Sequence, residues 1–161
     1  ITEEIVAALA PLGVTIVSGL AYGIDITAHR ASLHHGLPTV GVMASGLDII
    51  YPPAHQRTAQ EMLTNGALLT ENRPGVKPDA HLFPARNRII AGLSDATVVV
   101  EAANKGGALL TAEYANNYHR DVFAVPGAVG QTFSQGCHRI IRENKAQIYT
   151  SPADLIDALN W

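Results

Sequence analysis

Two arginines, Arg86 and Arg88, lie in the segment FPARNRIIAGL, where the sequence predicts the first turn of a helix. A cation in that turn is opposed by the positive end of the helix dipole, which costs about 0.3 to 1 kcal/mol. Lys105 likewise lies just before Gly106-Gly107 and a second predicted helix start. An anion bound at these turns would offset the cost. The residue types and their spacing therefore predict anion-binding sites.

The two arginines end a basic stretch of sixteen residues, 73–88, that contains one acid, Asp79. Its basic side chains are Arg73, Lys77, His81, Arg86 and Arg88. The whole chain has 11 Lys and Arg against 14 Asp and Glu, a net charge of −3, so a uniformly basic nucleic-acid clamp is excluded. A polyanion would have to bind a local patch such as this one.

Two structural explanations of these cations remain open. In the first, the two helical arginines pair with a nearby acid, which would be Glu71, Glu101 or Glu113. In the second, Arg73 and Lys77 are ordinary solvated surface charges, which contribute little to stability.

Three further groups could do chemistry, and each has a plainer structural explanation. Phe83 offers a ring on which a nucleic-acid base could stack, but a phenylalanine is often buried in a core. Asp25 and His29, four residues apart on a predicted helix, form either an acid–base pair or a helix cap that holds the histidine. A basic group near the C-terminus either extends the basic surface or is a solvated face; it comprises Arg139, Arg142 and Lys145, interleaved with Glu143.

Strands and helices alternate along the chain and position these residues. A continuous β-branched run predicts a buried parallel strand at 14–18, and the same strand-then-helix unit recurs with strands at 39–44, 67–70, 96–100 and 122–125, and with a short last strand at 147–149. Helical periodicity predicts helices from a Thr2 cap to Gly13, at about 24–33, 54–64, 85–93, 107–118 and 134–144, and after Ser151. Successive strand–helix units require right-handed crossovers. The predicted fold class is α/β, with a Rossmann-like doubly wound, mostly parallel sheet and helices on both faces, in one domain over 1–161.

Ligands of such sheets bind beyond the carboxyl ends of the strands. In this chain those ends carry mostly small residues: Ser18-Gly19, Ser45-Gly46, Thr70-Glu71, Glu101-Ala102 and Pro126-Gly127. Glycine lets backbone amides approach an anion, although each glycine could equally serve only to make a tight turn. The long polar loop 71–82 starts at the same edge, and loops of this length are usually functional. The sequence therefore predicts a binding site at this edge.

Several common chemistries lack their sequence motifs. No two of the 14 glycines are two residues apart, and no lysine follows a glycine, so the dinucleotide fingerprint and the phosphate-binding loop are absent. The chain contains neither G-x-S-x-G nor H-E-x-x-H. We therefore expect no cofactor and no metal. The lone Cys137 and the lack of a spanning or signal segment predict a cytoplasmic protein. Since the chain starts at Ile1 without Met, we expect a piece of a longer protein.

Several blocks of the sequence closely resemble the DNA-processing protein A (DprA/Smf) family. These blocks are SGLAYGIDITAH (18–29), GLDIIYP (46–52), FPARNRIIAGLS (83–94), VVVEA with GGALLTAEYA (98–115) and VFAVPG (122–127). The resemblance implies a Rossmann-like DNA-binding core and a non-enzymatic protein that binds single-stranded DNA without strong sequence preference. It also implies a homodimer that protects incoming DNA and loads the RecA recombinase during natural transformation.

Carried over by position, the resemblance assigns the DNA groove to Ser18, Gly19, Arg86, Asn87, Arg88, Gly106 and Gly107. From the residues themselves we expect Lys105 to help neutralise the phosphates and Phe83 or a nearby residue to pack on a base. Where the family usually has Ser-Gly-Ser, this chain has Gly106-Gly107-Ala108, so contacts there would use backbone amides. The family's leading strand, with its Gly-x-Arg turn, would precede Ile1. We also expect residues 1–161 to lack the helical domain often found before the core and the winged-helix module often found after it.

Two rival functions stay open. Rossmann-like enzymes that cleave nucleoside monophosphates carry Pro-Gly-Gly-x-Gly-Thr-x-x-Glu, and GGALLTAE (106–113) resembles it without the proline and third glycine and with a shorter Thr-to-Glu spacing. The chain could also be a structural or RecA-docking module whose DNA contacts lie in other segments.

Overall fold

The computed structural model describes residues 1–161. The helices are α1 (Thr2–Leu9), α2 (Ile24–His34), α3 (Gln56–Met62), α4 (Leu82–Leu93), α5 (Gly107–Asn117), α6 (Gln135–Arg142) and α7 (Pro152–Leu159). The strands are β1 (Ile16–Ser18), β2 (Thr39–Val42), β3 (Gly66–Leu69), β4 (Ala96–Val99), β5 (Asp121–Ala124) and β6 (Gln147–Ile148). Contacts divide the chain into two compact units, Ile1–Ile90 and Ala91–Trp161.

The first unit is built on a parallel sheet of three strands in the order β1-β2-β3. In its register Ile16 lies opposite Thr39, and Val40 lies opposite Ala67. Helix α1 packs on α2, and α2 and α3 pack on the strands. Because each strand is followed by a helix that returns the chain to the start of the next strand, the carboxyl ends of all three strands meet at one edge.

The second unit repeats this plan with a parallel sheet in the order β4-β5-β6. Helix α5 packs on β4 and β5, and α6 packs on β5. Most of its buried residues form one apolar cluster, which includes Val99, Ala112, Val122, Cys137 and Ile140. The last helix, α7, starts with a Ser151–Asp154 capping box and Pro152, and Asp154 Oδ2 accepts the N–H of Ser151 at 2.8 Å.

The parallel pairing and the strand–helix alternation confirm the predicted Rossmann-like α/β class. None of the seven helices combines the length and the apolar character needed to cross a bilayer. The single domain over 1–161 stays a prediction.

Helix α4 begins three residues earlier than its predicted start at about residue 85. The turn that precedes α4 is held by a hydrogen bond of 2.9 Å from Leu82 N–H to Asp79 O. Pro84 then falls in the first helical turn, where its missing N–H costs nothing. Arg86 and Arg88 are consequently the fifth and seventh residues of α4. The prediction that they lie in the first turn was wrong, and the helix dipole therefore does not explain their placement.

The first helix also starts differently from the prediction. Ile1, not Thr2, is the N-cap residue, and it makes no side-chain cap. The reason is that Ile1 O already accepts the N–H of Ile5 at 2.9 Å, which places Thr2 inside the first turn.

Candidate nucleic-acid interface

The carboxyl ends of β1 and β2 border a small cavity of about 60 Å³ in the first unit. Its lining residues are Gly19, Ala21, Tyr22, Ala44, Ser45, Tyr51, Pro52, Pro78, Phe83 and Arg86. They come from the loops after β1 and β2, from the long loop 71–82 and from the start of α4. The structure thus brings three of the predicted site residues, Gly19, Phe83 and Arg86, to one cavity.

Arg86 forms the inner wall of this cavity and is only 6% exposed. One guanidinium nitrogen donates to Gly19 O and to Val42 O, each at 2.6 Å, and Nε donates to Asn87 Oδ1 at 3.0 Å. Burial lowers the pKa of Arg86, and the Asp25 carboxylate opposes that shift. The group stays charged, because arginine is not deprotonated in proteins. A permanent positive charge is thereby fixed behind the ends of β1 and β2.

Gly19 is required where it stands because the Arg86 side chain lies directly on its backbone. A Cβ atom at Gly19 would meet the guanidinium nitrogens and carbon at 2.5 to 2.8 Å. Any side chain at this position would displace the arginine or the strand end. The lack of a side chain at Gly19 therefore leaves the space that the Arg86 guanidinium occupies. Ser18, the last residue of β1, is half-buried and lies opposite Gly41 in the sheet.

Asp25 and His29 do not form the predicted pair. Asp25 Oδ2 accepts the backbone N–H groups of Gly19 at 3.0 Å and Ala21 at 3.2 Å, so it shapes the loop after β1. The helix α2 is capped instead by Gly23, whose φ of 82° lies in the left-handed region. Both the acid–base pair and the Asp25 helix cap were therefore wrong.

His29 is held by Thr39, not by Asp25. Thr39 Oγ1 donates to Ile16 O at 2.9 Å, so the 2.7 Å contact with His29 Nδ1 has the imidazole as donor. The remaining ring nitrogen, Nε2, is buried without a hydrogen-bond partner. Burial lowers the pKa of His29 to about 4; Asp25 opposes this shift, and His55 and Arg86 reinforce it. His29 is thus a neutral, structural side chain at pH 7.

Arg88 is paired with an acid, as the first of the two structural explanations requires. It forms an ion pair with Glu71, and both side chains are more than two-fifths exposed. Exposed pairs contribute at most about 1 kcal/mol, so a competing phosphate could separate this pair at low cost. Arg86, in contrast, forms no ion pair with Glu71, Glu101 or Glu113.

Aromatic rings form the outer rim of the cavity. Tyr22 is 68% exposed and Tyr51 is 47% exposed, while Phe83 is half-buried. The Tyr51 and Phe83 rings lie 5.9 Å apart, and the Arg86 guanidinium carbon lies 5.6 Å from the Phe83 centroid. Tyr22 packs edge-on against His55 at 4.7 Å. Phe83 is therefore part of the rim, where its ring lies between Tyr51 and the Arg86 guanidinium.

Sequence reasoning missed the two tyrosines. The signal was available, because Tyr22 and Tyr51 both follow strands whose carboxyl ends lie at the predicted edge. Each is an isolated aromatic residue in a loop, and no periodicity singles it out.

The long loop 71–82 is held to the loop after β2. Gly46 N donates to Val76 O at 2.9 Å, and both oxygens of Asp48 accept the N–H of Gly75 at 2.9 Å. His81 pairs with Asp79 at 2.7 Å. Arg73 and Lys77 are exposed on this loop, as the second explanation requires. Their charges are available to a polyanion.

The other predicted residues lie in the second unit. Gly106 is the N-cap residue of α5, and Gly107 begins the helix. The exposed Lys105 precedes them. A groove of about 240 Å³ separates α5 from α6, and its lining residues include Lys105, Gly106, Leu109, Glu113, Arg139 and Lys145. Arg139 donates to Asn104 O at 2.8 Å. The groove therefore has an apolar floor and a rim with charges of both signs. No group of three or more His, Cys, Asp or Glu residues in the structure is placed to hold a metal ion.

Comparison with known proteins identifies related chains over nearly the whole sequence. The Smf protein of Synechocystis sp. is 45% identical over 158 residues, which are 98% of this chain and 39% of the relative. The X-ray structure of DNA processing protein A from Streptococcus pneumoniae has a TM-score of 0.88 and 42% identity, and covers 97% of this chain and 54% of that one. DNA processing protein A from Helicobacter pylori, described for its single-stranded DNA binding mode, has a TM-score of 0.88 and 30% identity over 98% of this chain and 71% of that one.

The chain spans about half or less of the length of the curated relatives, 39% of the Synechocystis protein and 50% of the Streptococcus protein. The sequence profile of the family described as DNA recombination-mediator protein A matches residues 1–160. From this match and from the 45% identity to Smf, we conclude that the chain belongs to the DNA recombination-mediator protein A family.

Proposed function

We propose that the first-unit cavity and its aromatic rim bind single-stranded DNA without catalysing a reaction on it. The observation that supports this most is Arg86, a buried and permanent positive charge that forms no ion pair and faces a cavity bordered by exposed rings. The Helicobacter pylori relative, 30% identical, is described as binding single-stranded DNA.

The two parts of this site act on different parts of a nucleotide. Arg86 is too buried to follow a mobile phosphate, so it contributes a fixed field, which weakly polar surroundings strengthen. The exposed cations Arg73, Lys77 and Arg88 meet phosphates directly, Arg88 after leaving Glu71. Bases stack on Tyr22 and Tyr51, because every base has a face that fits an aromatic ring. Asn87 holds Arg86 through its side-chain oxygen.

Fluorescence anisotropy of a labelled oligothymidine tests this proposal. We expect the double variant Tyr22→Ala/Tyr51→Ala to bind at least about tenfold more weakly, since stacking on an aromatic side chain contributes about 1 to 3 kcal/mol per base. Tyr118→Ala, which removes an exposed tyrosine from the second unit, is the matched control and should leave affinity unchanged. Equal losses in both variants would contradict the rim as the binding site.

Salt dependence tests the electrostatic part separately. If about three to five phosphates are neutralised, log K should fall with log salt at a slope of about −2 to −3.5, at about −0.7 per phosphate. A slope near zero would contradict the role of the basic residues.

For the whole protein, we propose that it acts in the cytoplasm as a homodimer, protects incoming single-stranded DNA and delivers it to RecA during natural transformation. Membership of a family named for mediating recombination supports this. We further propose that residues 1–161 act as one DNA-binding core. Assembly of RecA filaments on oligonucleotides, with and without the full-length protein, checks the delivery step, and no acceleration would contradict it.

A second candidate function is supported by the groove of the second unit. Glu113, Lys105 and Gly106 all line it, and Glu113 is the acid of the segment that resembles nucleotide-cleaving enzymes. Incubation with each nucleoside monophosphate and chromatography of the products tests this activity. We expect no free base, because the motif lacks its third glycine and its proline. Release of base that stops in Glu113→Gln would instead establish an enzyme.

A further inference from the structure

The loop between β5 and α6 exposes a large aromatic ring that the proposed site does not use. Phe133 is 63% exposed, whereas Phe123 is fully buried and Phe83 is half-buried. Val129, in the same loop, is 93% exposed. Two exposed apolar side chains in one short loop make this loop a candidate interaction surface.

The backbone that carries this ring is firmly held. Phe133 O accepts the N–H of Ala102 at 2.7 Å, and Ala102 O accepts the N–H of Gly136 at 2.8 Å. Asn104 Nδ2 donates to Gln135 Oε1 at 2.6 Å, and Arg139 donates to Asn104 O. Residues 102–104 are therefore fixed to residues 133–139. The ring is presented from a rigid base, which lowers the entropy lost on binding.

The charges around the ring fit a nucleotide. Residues 126–135 carry no charged side chain, so the surroundings of Phe133 suit a neutral base. The segment that anchors the ring leads directly to Lys105, which is exposed and makes no ion pair. The acid of this segment, Glu101, precedes Ala102 and repels phosphate from that side. A strand would therefore place a base on Phe133 and the adjoining phosphate beside Lys105.

We propose that Phe133 and Lys105 form a second nucleotide subsite for single-stranded DNA, in which Phe133 stacks on a base. The inference rests on the proposed function and extends it to the second unit. It assigns the loop 126–135 to the DNA surface.

A tryptophan placed at the position reports stacking directly. The chain has one tryptophan, Trp161, so Phe133→Trp in a Trp161→Phe background gives a single fluorophore. We expect oligothymidine to quench its emission, because a base stacked on indole quenches it. An abasic deoxyribose-phosphate strand of equal length should bind more weakly and leave the emission unchanged.

Anisotropy measured on the same samples separates the two proposals. Binding of oligothymidine without quenching would overturn the Phe133 subsite and leave the proposed function intact. If the unmodified chain also failed to bind oligothymidine, both the Phe133 subsite and the proposed function would be overturned.

Affinity provides a second test with a control in the same loop. We expect Phe133→Ala to weaken oligothymidine binding about tenfold, a typical effect of losing one stacked base. Val129→Ser removes an even more exposed apolar side chain that has no aromatic face, and it should leave affinity unchanged. Lys105→Gln should reduce the magnitude of the salt slope by about 0.7, the contribution of one phosphate.

Different outcomes would assign the loop to another occupant. Equal weakening by Val129→Ser and Phe133→Ala would overturn the stacking role. A fall in molecular mass by sedimentation, in both variants and without DNA, would identify the loop as a contact with a second copy of the chain and overturn the proposal.

Discussion

The two units place their polar groups in opposite ways. All nine buried polar or charged side chains lie in the first unit: Thr2, His29, Ser32, Thr39, Ser45, His55, Thr58, Arg86 and Asn87. The buried residues of the second unit are apolar apart from the Cys137 thiol and the Tyr149 hydroxyl. Its cations, such as Lys105, lie at the surface. Burying a polar group costs stability unless it is hydrogen-bonded, so the first unit depends on partners such as the two carbonyls that hold Arg86.

This difference predicts that Arg86 matters for folding as well as for binding, whereas Lys105 matters for binding alone. Replacing Arg86 by Met leaves the Gly19 and Val42 carbonyls without their buried donor, at about 1 to 3 kcal/mol each. We expect Arg86→Met to lower the free energy of unfolding by about 2 to 5 kcal/mol, measured by urea denaturation. The matched variant Lys105→Met, at an exposed site, should change it by less than about 0.5 kcal/mol.

Both variants should lose DNA affinity at low salt, but only Arg86→Met should also lose stability. Lys105→Met should lose affinity while it remains as stable as the unmodified chain. If instead both variants unfolded at the same urea concentration, the contrast between an internal and an external cation would be wrong.

Much of this fold was predictable from local sequence, because β-branched residues mark β1, β2 and β4 and helical periodicity follows each of these strands. The burial of Arg86 was not, since its partners Gly19 and Val42 are 67 and 44 residues away. The same holds for Asp25, whose spacing from His29 suggested an interaction within one helix. Its carboxylate bonds the loop before that helix instead. A sequence pattern predicts contacts between residues within a few positions of each other, and it does not predict contacts between residues that are far apart in the sequence.

The buried imidazole makes the first unit sensitive to acid. The pKa of His29 falls from 6.5 to about 4 on folding, so the unfolded chain binds the proton more readily. Stability is therefore complete above pH 6.5 and is lost as pH falls towards 4, by about 3 kcal/mol in total at 1.36 kcal/mol per unit. Urea denaturation at several pH values measures this loss. We expect His29→Gln to show a smaller loss over the same interval.

The control lies on the same helix. His34→Gln removes an exposed histidine and leaves His29 intact, so its pH profile should follow that of the unmodified chain. Identical profiles for His29→Gln and the unmodified chain would show that His29 takes up its proton as easily in the folded state as in the unfolded one.

A single methyl group added at Gly19 or at Gly106 is the smallest change that tests the difference between the two units. Gly19 follows strand β1 in the first unit, and Gly106 is the N-cap residue of α5 in the second. Neither glycine has a φ in the left-handed region. A Cβ at Gly19 meets the Arg86 guanidinium at 2.5 Å, whereas a Cβ at Gly106 meets nothing within 4 Å. Since Arg86 is held by two carbonyls, it cannot move aside freely, and overpacking of this kind costs about 1 to 3 kcal/mol.

We therefore expect Gly19→Ala to lower the free energy of unfolding by about 2 kcal/mol and Gly106→Ala to change it by less than about 0.5 kcal/mol. Urea denaturation of both variants beside Arg86→Met checks the cause. In the double variant Gly19→Ala/Arg86→Met the cost of the alanine should largely disappear, because a flexible methionine can yield to the added methyl group. If Gly19→Ala lowered the free energy of unfolding equally in the Arg86→Met background, the strain would lie in the backbone of the loop after β1. Gly19 would then be needed for that turn and not for the packing of Arg86.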